Sequence, residues 1–98
     1  MRGGGVMFGM TMKQEPHHCG EGIQRTYNFQ NGTKLSVIKT PWSYGGKDDK
    51  WEIAVLDSEG NFITRSVWYD LDDDVMGHVT DSQLQSYISD VHIHDLED

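Results

Sequence analysis

The stretch "VTDSQLQSYISDV", residues 79–91, contains the clearest helix signal in this chain. Thr80 is a helix-capping residue type and Gln83 follows three positions later, which is the spacing of a capping box. The apolar residues that follow recur at helical spacing, and they are Leu84, Tyr87, Ile88 and Val91. A single apolar stripe needs a second layer to cover it, so we expect a helix over about 81–91 that packs against a sheet.

The sheet is predicted from two alternating segments upstream of that helix. In "TYNFQNGTKLSVIK", residues 26–39, Asn31-Gly32 favours a type I′ turn between strands near 25–30 and 33–40. In "WEIAVLDSEGNFITRSVW", residues 51–68, a strand leads to a loop closed by a bulge at Gly60 and then to a returning strand at 62–68. The sequence therefore predicts an α+β fold, an antiparallel β-meander of about four strands with one C-terminal helix packed on one face.

Length and composition limit the organisation of the chain. Its 98 residues suit one small domain, which we place at 23–98, and Cys19 is the single cysteine, so no intramolecular disulfide forms. Residues 1–22 contain six glycines, and we predict a flexible leader there. No stretch approaches the roughly 20 apolar residues that cross a bilayer.

Charge is unevenly distributed along the sequence. The net charge is −8, and from Asp57 onward Arg65 alone opposes eleven acidic residues. Such an acidic half repels nucleic acid and membrane phosphates and attracts a basic protein surface. We therefore expect no direct nucleic-acid partner and no membrane partner, but a protein with a basic surface.

Aromatic residues beside the acidic run "DLDDD", residues 70–74, are the candidate binding residues. Aromatic side chains concentrate binding energy because they bury a large area for few lost rotamers. The predicted binding residues are Trp42, Tyr44, Trp68, Tyr69, Asp70, Asp72, Asp73 and Asp74. The alternatives are that the carboxylates form a solvated turn and that Trp51 and Trp68 fill the core.

Metal binding and catalysis have weak sequence support. Asp70, Asp72, Asp74 and Asp81 match positions 1, 3, 5 and 12 of a calcium loop, but Val75 stands where that loop needs glycine. The histidines at 17–18 and 92–94, with Cys19, match no zinc framework. No nucleophile has a rigid oxyanion site beside it, so we predict no metal, no cofactor and no enzymatic activity.

The segments "LSVIKTPWSYGGKDDKWEIAVLDSEGNF" and "DDDVMGHVTDSQLQSYISDV" resemble a family of small, mostly uncharacterised phage and prophage proteins. The family pattern has a "SYGG" loop, a "WELAVLD" strand and a "DDVIGYLT" segment that opens a helix, and the match covers about residues 31–91. The resemblance implies a small sheet with a C-terminal helix and expression in the cytoplasm of an infected bacterium. It implies no catalytic residues, and His78 stands where the family has an aromatic residue.

Two functions remain open from the sequence. The first is a phage-encoded acidic protein that binds and modulates a host or phage protein, as an anti-defence or host-takeover inhibitor does, with mimicry of nucleic acid as one form. The second is a structural or virion-accessory protein that acts through homo-oligomerisation, with an exposed sheet edge or face pairing with another copy.

Overall fold

The computed structural model describes residues 10–17, 20–43 and 48–97 and shows one antiparallel sheet with a long C-terminal helix. The strands are β1 (Thr11–Pro16), β2 (Ile23–Asn28), β3 (Lys34–Lys39), β4 (Trp51–Leu56) and β5 (Met76–Val79). They lie side by side in the order β1-β2-β3-β4-β5. A single-turn helix α1 (Thr64–Val67) precedes β5, and α2 (Asp81–Glu97) follows it. The α+β fold class is confirmed, with five strands in the sheet.

Strand β1 lies inside the range predicted to be a flexible leader, residues 1–22. It pairs with β2 along its whole length, from Thr11 opposite Asn28 to Pro16 opposite Ile23. The pairing occupies the outer edge of β2, and the preceding Met10 is buried in the core at 8% exposure. These two contacts order a segment whose composition favours disorder. Residues 1–9 and 18–19 of the predicted leader lie outside the described residues.

The prediction of a strand over residues 62–68 is wrong. The returning chain forms one bridge, between Leu56 and Phe62, and then enters α1. The buried hydroxyl of Thr64 accepts the backbone N–H of Val55 at 2.9 Å and donates to the carbonyl of Asp74 at 2.6 Å. The backbone N–H of Ile63 also donates to the Val55 carbonyl at 2.8 Å. These few bonds stand where a returning strand was predicted, and β5 is the strand that pairs with β4.

Both hairpin loops have three residues and end in a glycine with positive φ. The Asn31-Gly32 turn differs from the predicted type I′ form, because Phe29 N–H bonds to Thr33 O at 2.9 Å and only Gly32 has positive φ, at 99°. The bulge predicted at Gly60 is confirmed, with φ at 87°. Each loop satisfies the right-handed twist of its strands with a single left-handed residue.

The Asp57 carboxylate organises the second of these loops. It accepts the backbone N–H of Asn61 and of Glu59, both at 2.9 Å. The bond from Asn61 is the largest cause that holds the pKa of Asp57 below its ordinary value, because accepted hydrogen bonds favour the charged form. The loop therefore has a side-chain scaffold of its own at neutral pH.

The predicted start of α2 is confirmed and its end is six residues later than expected. Gln83 Oε1 accepts the Thr80 N–H at 2.9 Å while Thr80 Oγ1 accepts the Gln83 N–H at 3.2 Å, which is the capping box. The buried residues of the helix lie on one stripe, and they are Leu84, Ile88, Val91 and Asp95. With the inward side chains of the strands, that stripe forms the hydrophobic core.

Trp51 connects the sheet to the beginning of α2. Its side chain is buried, as the core alternative predicted, and its Nε1–H donates to Asp81 Oδ1 at 2.7 Å. The Arg25 guanidinium and the Lys39 ammonium lie 4.6 and 4.2 Å from the centre of the indole ring. Cations at this distance are attracted by the ring quadrupole and cover the indole from solvent.

Asp95 connects the sheet to the other end of α2. This fully buried carboxylate accepts the backbone N–H of Asn31 at 3.0 Å and that of Thr33 at 3.3 Å. The Asn31 amide in return donates to the Asp95 carbonyl at 2.8 Å. A buried charge is tolerated only when hydrogen bonds replace its hydration, and the first hairpin loop supplies them.

We expect Asp95→Ala to lower the free energy of unfolding by about 3 kcal/mol, because two buried N–H groups lose their acceptor. Asp95→Asn keeps an oxygen acceptor and should fall between the alanine variant and the natural chain. Chemical denaturation measures the differences. The exposed Asp72→Ala should change stability by less than about 0.5 kcal/mol, and an equal effect at both positions would contradict the inferred contact.

The two loop glycines allow a matched comparison. A Cβ on Gly60 would point into open space, so only the positive φ makes Gly60→Ala unfavourable. We expect this variant to lower the free energy of unfolding by about 1 kcal/mol. A Cβ on Gly32 would also lie 2.8 Å from the Cβ of Ser58, in the neighbouring loop. Gly32→Ala should therefore destabilise the fold clearly more than Gly60→Ala in the same denaturation experiment. Equal losses would show that the two loops do not meet.

Candidate functional site

The aromatic pair that precedes the acidic run lies beside the C-terminal half of α2. Trp68 is half-buried, donates its Nε1–H to Asp90 Oδ2 at 2.9 Å and meets the Tyr87 ring edge-on at 5.2 Å. Tyr69 points outward and is 86% exposed. Trp68 therefore attaches this segment to the helix, whereas the adjacent Tyr69 side chain is exposed to solvent.

A groove of about 290 Å³ lies between this segment and α2. Val67 and Tyr69 line one side, and Asp90, Ile93 and Glu97 line the other. Ser66 and His94 also line it, and Ile93 is 55% exposed, so an exposed apolar side chain lies beside two carboxylates. We define Val67, Tyr69, Asp90, Ile93 and Glu97 as the acidic groove.

Four of the five groove residues were missed by the sequence analysis, namely Val67 and three residues of α2. Asp90, Ile93 and Glu97 lie three and four positions apart, which puts them on one helical face. The predicted helix end near residue 91 left Ile93 and Glu97 in a tail with no defined face. Their helical spacing was the signal in the sequence that could have identified them, had the helix been predicted to extend to residue 97.

The acidic run continues from the groove as a mostly exposed loop. Asp70, Asp72 and Asp73 are exposed, and Asp73 Oδ1 accepts the backbone N–H of Asp74 at 2.7 Å. Asp74 is half-buried, with Oδ1 3.5 Å from Arg65 Nε. The run is therefore a local turn at its C-terminal end and a row of solvated carboxylates before it.

The positions weighed as metal ligands are distributed over separate parts of the structure. Asp81 of the calcium frame begins α2 and bonds to Trp51. His92 and His94 lie in a helix, where residues two apart differ by about 200° in direction, so they do not face one way. Among the described residues, no three histidine, cysteine or acidic side chains converge as a metal site requires. His18 and Cys19 lie outside the described residues.

Trp42 lies in a different part of the molecule from Trp68 and Tyr69. It belongs to the connection from β3 to β4 and is 67% exposed. The Thr40 hydroxyl accepts its backbone N–H at 3.2 Å and that of Ser43 at 3.0 Å, which fixes the turn. Tyr44, the other predicted binding residue of this loop, lies outside the described residues.

The charge asymmetry of the sequence becomes a separation across the sheet. Strands β1 to β3 carry four basic residues and one acidic residue. The chain from 68 to 97 carries eight acidic residues and no lysine or arginine. Its run 70–74 leads into β5, at the opposite edge of the sheet from β1, while α2 packs across one face of the sheet as far as the loop between β2 and β3. A positively charged partner would be attracted to the β5 side.

The sheet face opposite α2 has a shallow pocket of about 270 Å³. Its apolar lining includes Ile38, Ala54, Leu56 and Phe62, and Phe62 is 54% exposed. The lining includes one carboxylate, that of Glu52, and none of the predicted binding residues.

Searches of protein-family models, curated proteins and solved structures find no match to this chain. In the part of the chain that the structure describes, no helix is long and apolar enough to cross a membrane.

We expect Trp68→Phe to lower the free energy of unfolding by about 1.5 kcal/mol, because the ring contact with Tyr87 remains while Asp90 loses its donor. Trp42→Phe, at a tryptophan that is 67% exposed, is the matched control and should be neutral. Urea denaturation of both variants distinguishes them. An unchanged Trp68→Phe would mean that the indole does not hold Asp90 in place.

Proposed function

We propose that this chain is a small phage-encoded binding protein that modulates a bacterial or phage protein by receiving a basic segment in the acidic groove. The observation that carries the proposal is the exposed Tyr69 beside Ile93, with the carboxylates of Asp90 and Glu97 around them. An exposed aromatic and an exposed aliphatic side chain, flanked by one sign of charge, match an apolar anchor with basic neighbours.

The surroundings of the groove support the same kind of partner. Asp70, Asp72 and Asp73 extend the negative surface from Tyr69, and they are exposed. Charges of one sign around an apolar anchor raise the association rate of an oppositely charged partner and reject acidic competitors. If the bound basic segment belonged to the nucleic-acid-binding surface of the partner, the acidic groove would block that surface and inhibit the partner. Catalysis by this chain forms no part of the proposal.

The test begins by capturing proteins from infected and uninfected bacterial lysates on the immobilised chain. Each captured protein is then purified and titrated against the natural chain and its variants at several salt concentrations. Tyr69→Ala and Ile93→Ala should each raise Kd about tenfold or more, because both remove anchor area. Glu97→Gln should weaken binding less and reduce its dependence on salt, because one charge attraction is lost.

Two control variants match these changes outside the groove. Phe62→Ala removes a comparably exposed aromatic from the opposite sheet face, and Glu59→Gln removes an exposed carboxylate from the loop after β4. Neither should change Kd. Binding that resists salt, or that is lost through Phe62→Ala and kept in Tyr69→Ala, would refute the acidic groove as the binding surface.

A further inference from the structure

The outer edge of β1 is an exposed sheet edge. Within the described residues β2 is its only neighbouring strand, and all six of its residues are exposed. Met12 is 42% exposed and Ile23, next to it on β2, is 37% exposed. An edge strand presents unpaired N–H and C=O groups along its length and can pair with another strand.

The register identifies which groups point outward. Phe29 N–H bonds to Thr33 O across the hairpin, so the odd-numbered residues of β2 direct their backbone groups to β3. The even-numbered residues then face β1, where Thr26 pairs with Lys13. Alternation along β1 leaves the N–H and C=O of Met12 and Gln14 directed outward, and Pro16 offers a carbonyl alone.

We propose that β1 pairs antiparallel with β1 of a second copy of this chain, about a two-fold axis at Gln14, so that two sheets join into one. This surface is separate from the acidic groove, and the inference goes beyond the proposed function. The charges of β1 identify a second copy as the partner of this edge. The strand carries one lysine and one glutamate, Lys13 and Glu15, on the same face and two positions apart. A strand with this pattern is complementary to its own antiparallel copy.

Charge also selects one register among those that the edge permits. With the axis at Gln14, each Lys13 lies opposite Glu15 of the second copy, and opposite charges across a strand pair stabilise it. With the axis at Lys13, two lysines would face each other. With the axis at Met12, Lys13 would face Thr11, and Glu15 would gain no cationic partner from the second copy beyond Lys13 of its own strand, whose Nζ lies 3.8 Å from Glu15 Oε1.

The same register covers the exposed apolar residues and ends the pairing. Met12 lies opposite Pro16 of the second copy, and Pro16 stands beside Ile23 in its own sheet. Proline lacks an N–H, so the ladder between the two copies ends at Pro16. The two-fold contact occupies the β1 edge of both copies, so it forms a closed dimer rather than a fibre. The acidic run 70–74 leads into β5, at the opposite edge of each sheet, so the two copies of this run remain apart.

The decisive experiment is a symmetric disulfide in the full chain with Cys19→Ser. Two Gln14 residues would form a hydrogen-bonded antiparallel pair with Cα atoms about 5.5 Å apart, which a disulfide spans. Gln14→Cys should therefore give a covalent dimer on mild oxidation, seen by non-reducing electrophoresis. Thr11→Cys is the control on the same strand. Its two copies would lie about 20 Å apart, so this variant should form no disulfide-linked dimer.

A charge exchange tests the register in the natural background by sedimentation over a concentration series. Lys13→Glu should convert the dimer to monomer, and the double variant Lys13→Glu, Glu15→Lys should restore it. Circular dichroism of each variant confirms that the monomer is folded. A natural chain that is monomeric throughout the series overturns the proposal, and so does a dimer that survives Lys13→Glu but dissociates with Tyr69→Ala, since that contact would involve the acidic groove.

Discussion

The fold depends on the buried carboxylate of Asp95. It lies near the end of the last helix and accepts backbone N–H groups from the first hairpin loop, more than sixty residues away in the sequence. An unpaired charge at that depth would be strongly unfavourable, so α2 has to extend to Asp95 and meet the loop between β2 and β3. One contact therefore sets the length of the helix, its direction across the sheet and the conformation of the loop.

The position of the acidic groove follows from the two ends of α2. Trp51 bonds to Asp81 at the start of the helix, and Asp95 bonds to the hairpin near its end. With Leu84, Ile88, Val91 and Asp95 facing the sheet, helical geometry directs Ile93 and Glu97 outward. Trp68 then brings the connection from α1 against Asp90, which places Tyr69 at the groove. The surface is thus built on a helix fixed at both ends, a rigid support for a binding site.

Local signals predicted much of this fold, and long-range contacts decided the rest. The capping box at Thr80 and the bulge at Gly60 were read correctly because both depend on residues within a few positions. The alternation over 62–68 was read as a strand because nothing local reveals that the Thr64 hydroxyl takes the Val55 N–H. The predicted helix ended near residue 91, so Asp95 had no predicted structural role. The first strand and most of the acidic groove were missed for the same reason, since their partners are distant in sequence.

The carboxylates of the C-terminal half are held mainly by neutral donors, which preserves their charge. Asp81 and Asp90 accept indole N–H groups, and Asp95 accepts backbone N–H groups. Asp74 differs from these three, because its carboxylate forms an ion pair with Arg65, with Oδ1 3.5 Å from Nε. A carboxylate bound to a lysine is neutralised, whereas one bound to an indole keeps its full charge and a fixed direction. Asp81, Asp90 and Asp95 are therefore ordered without cancelling their charge, so they contribute to the negative potential that an approaching basic surface meets.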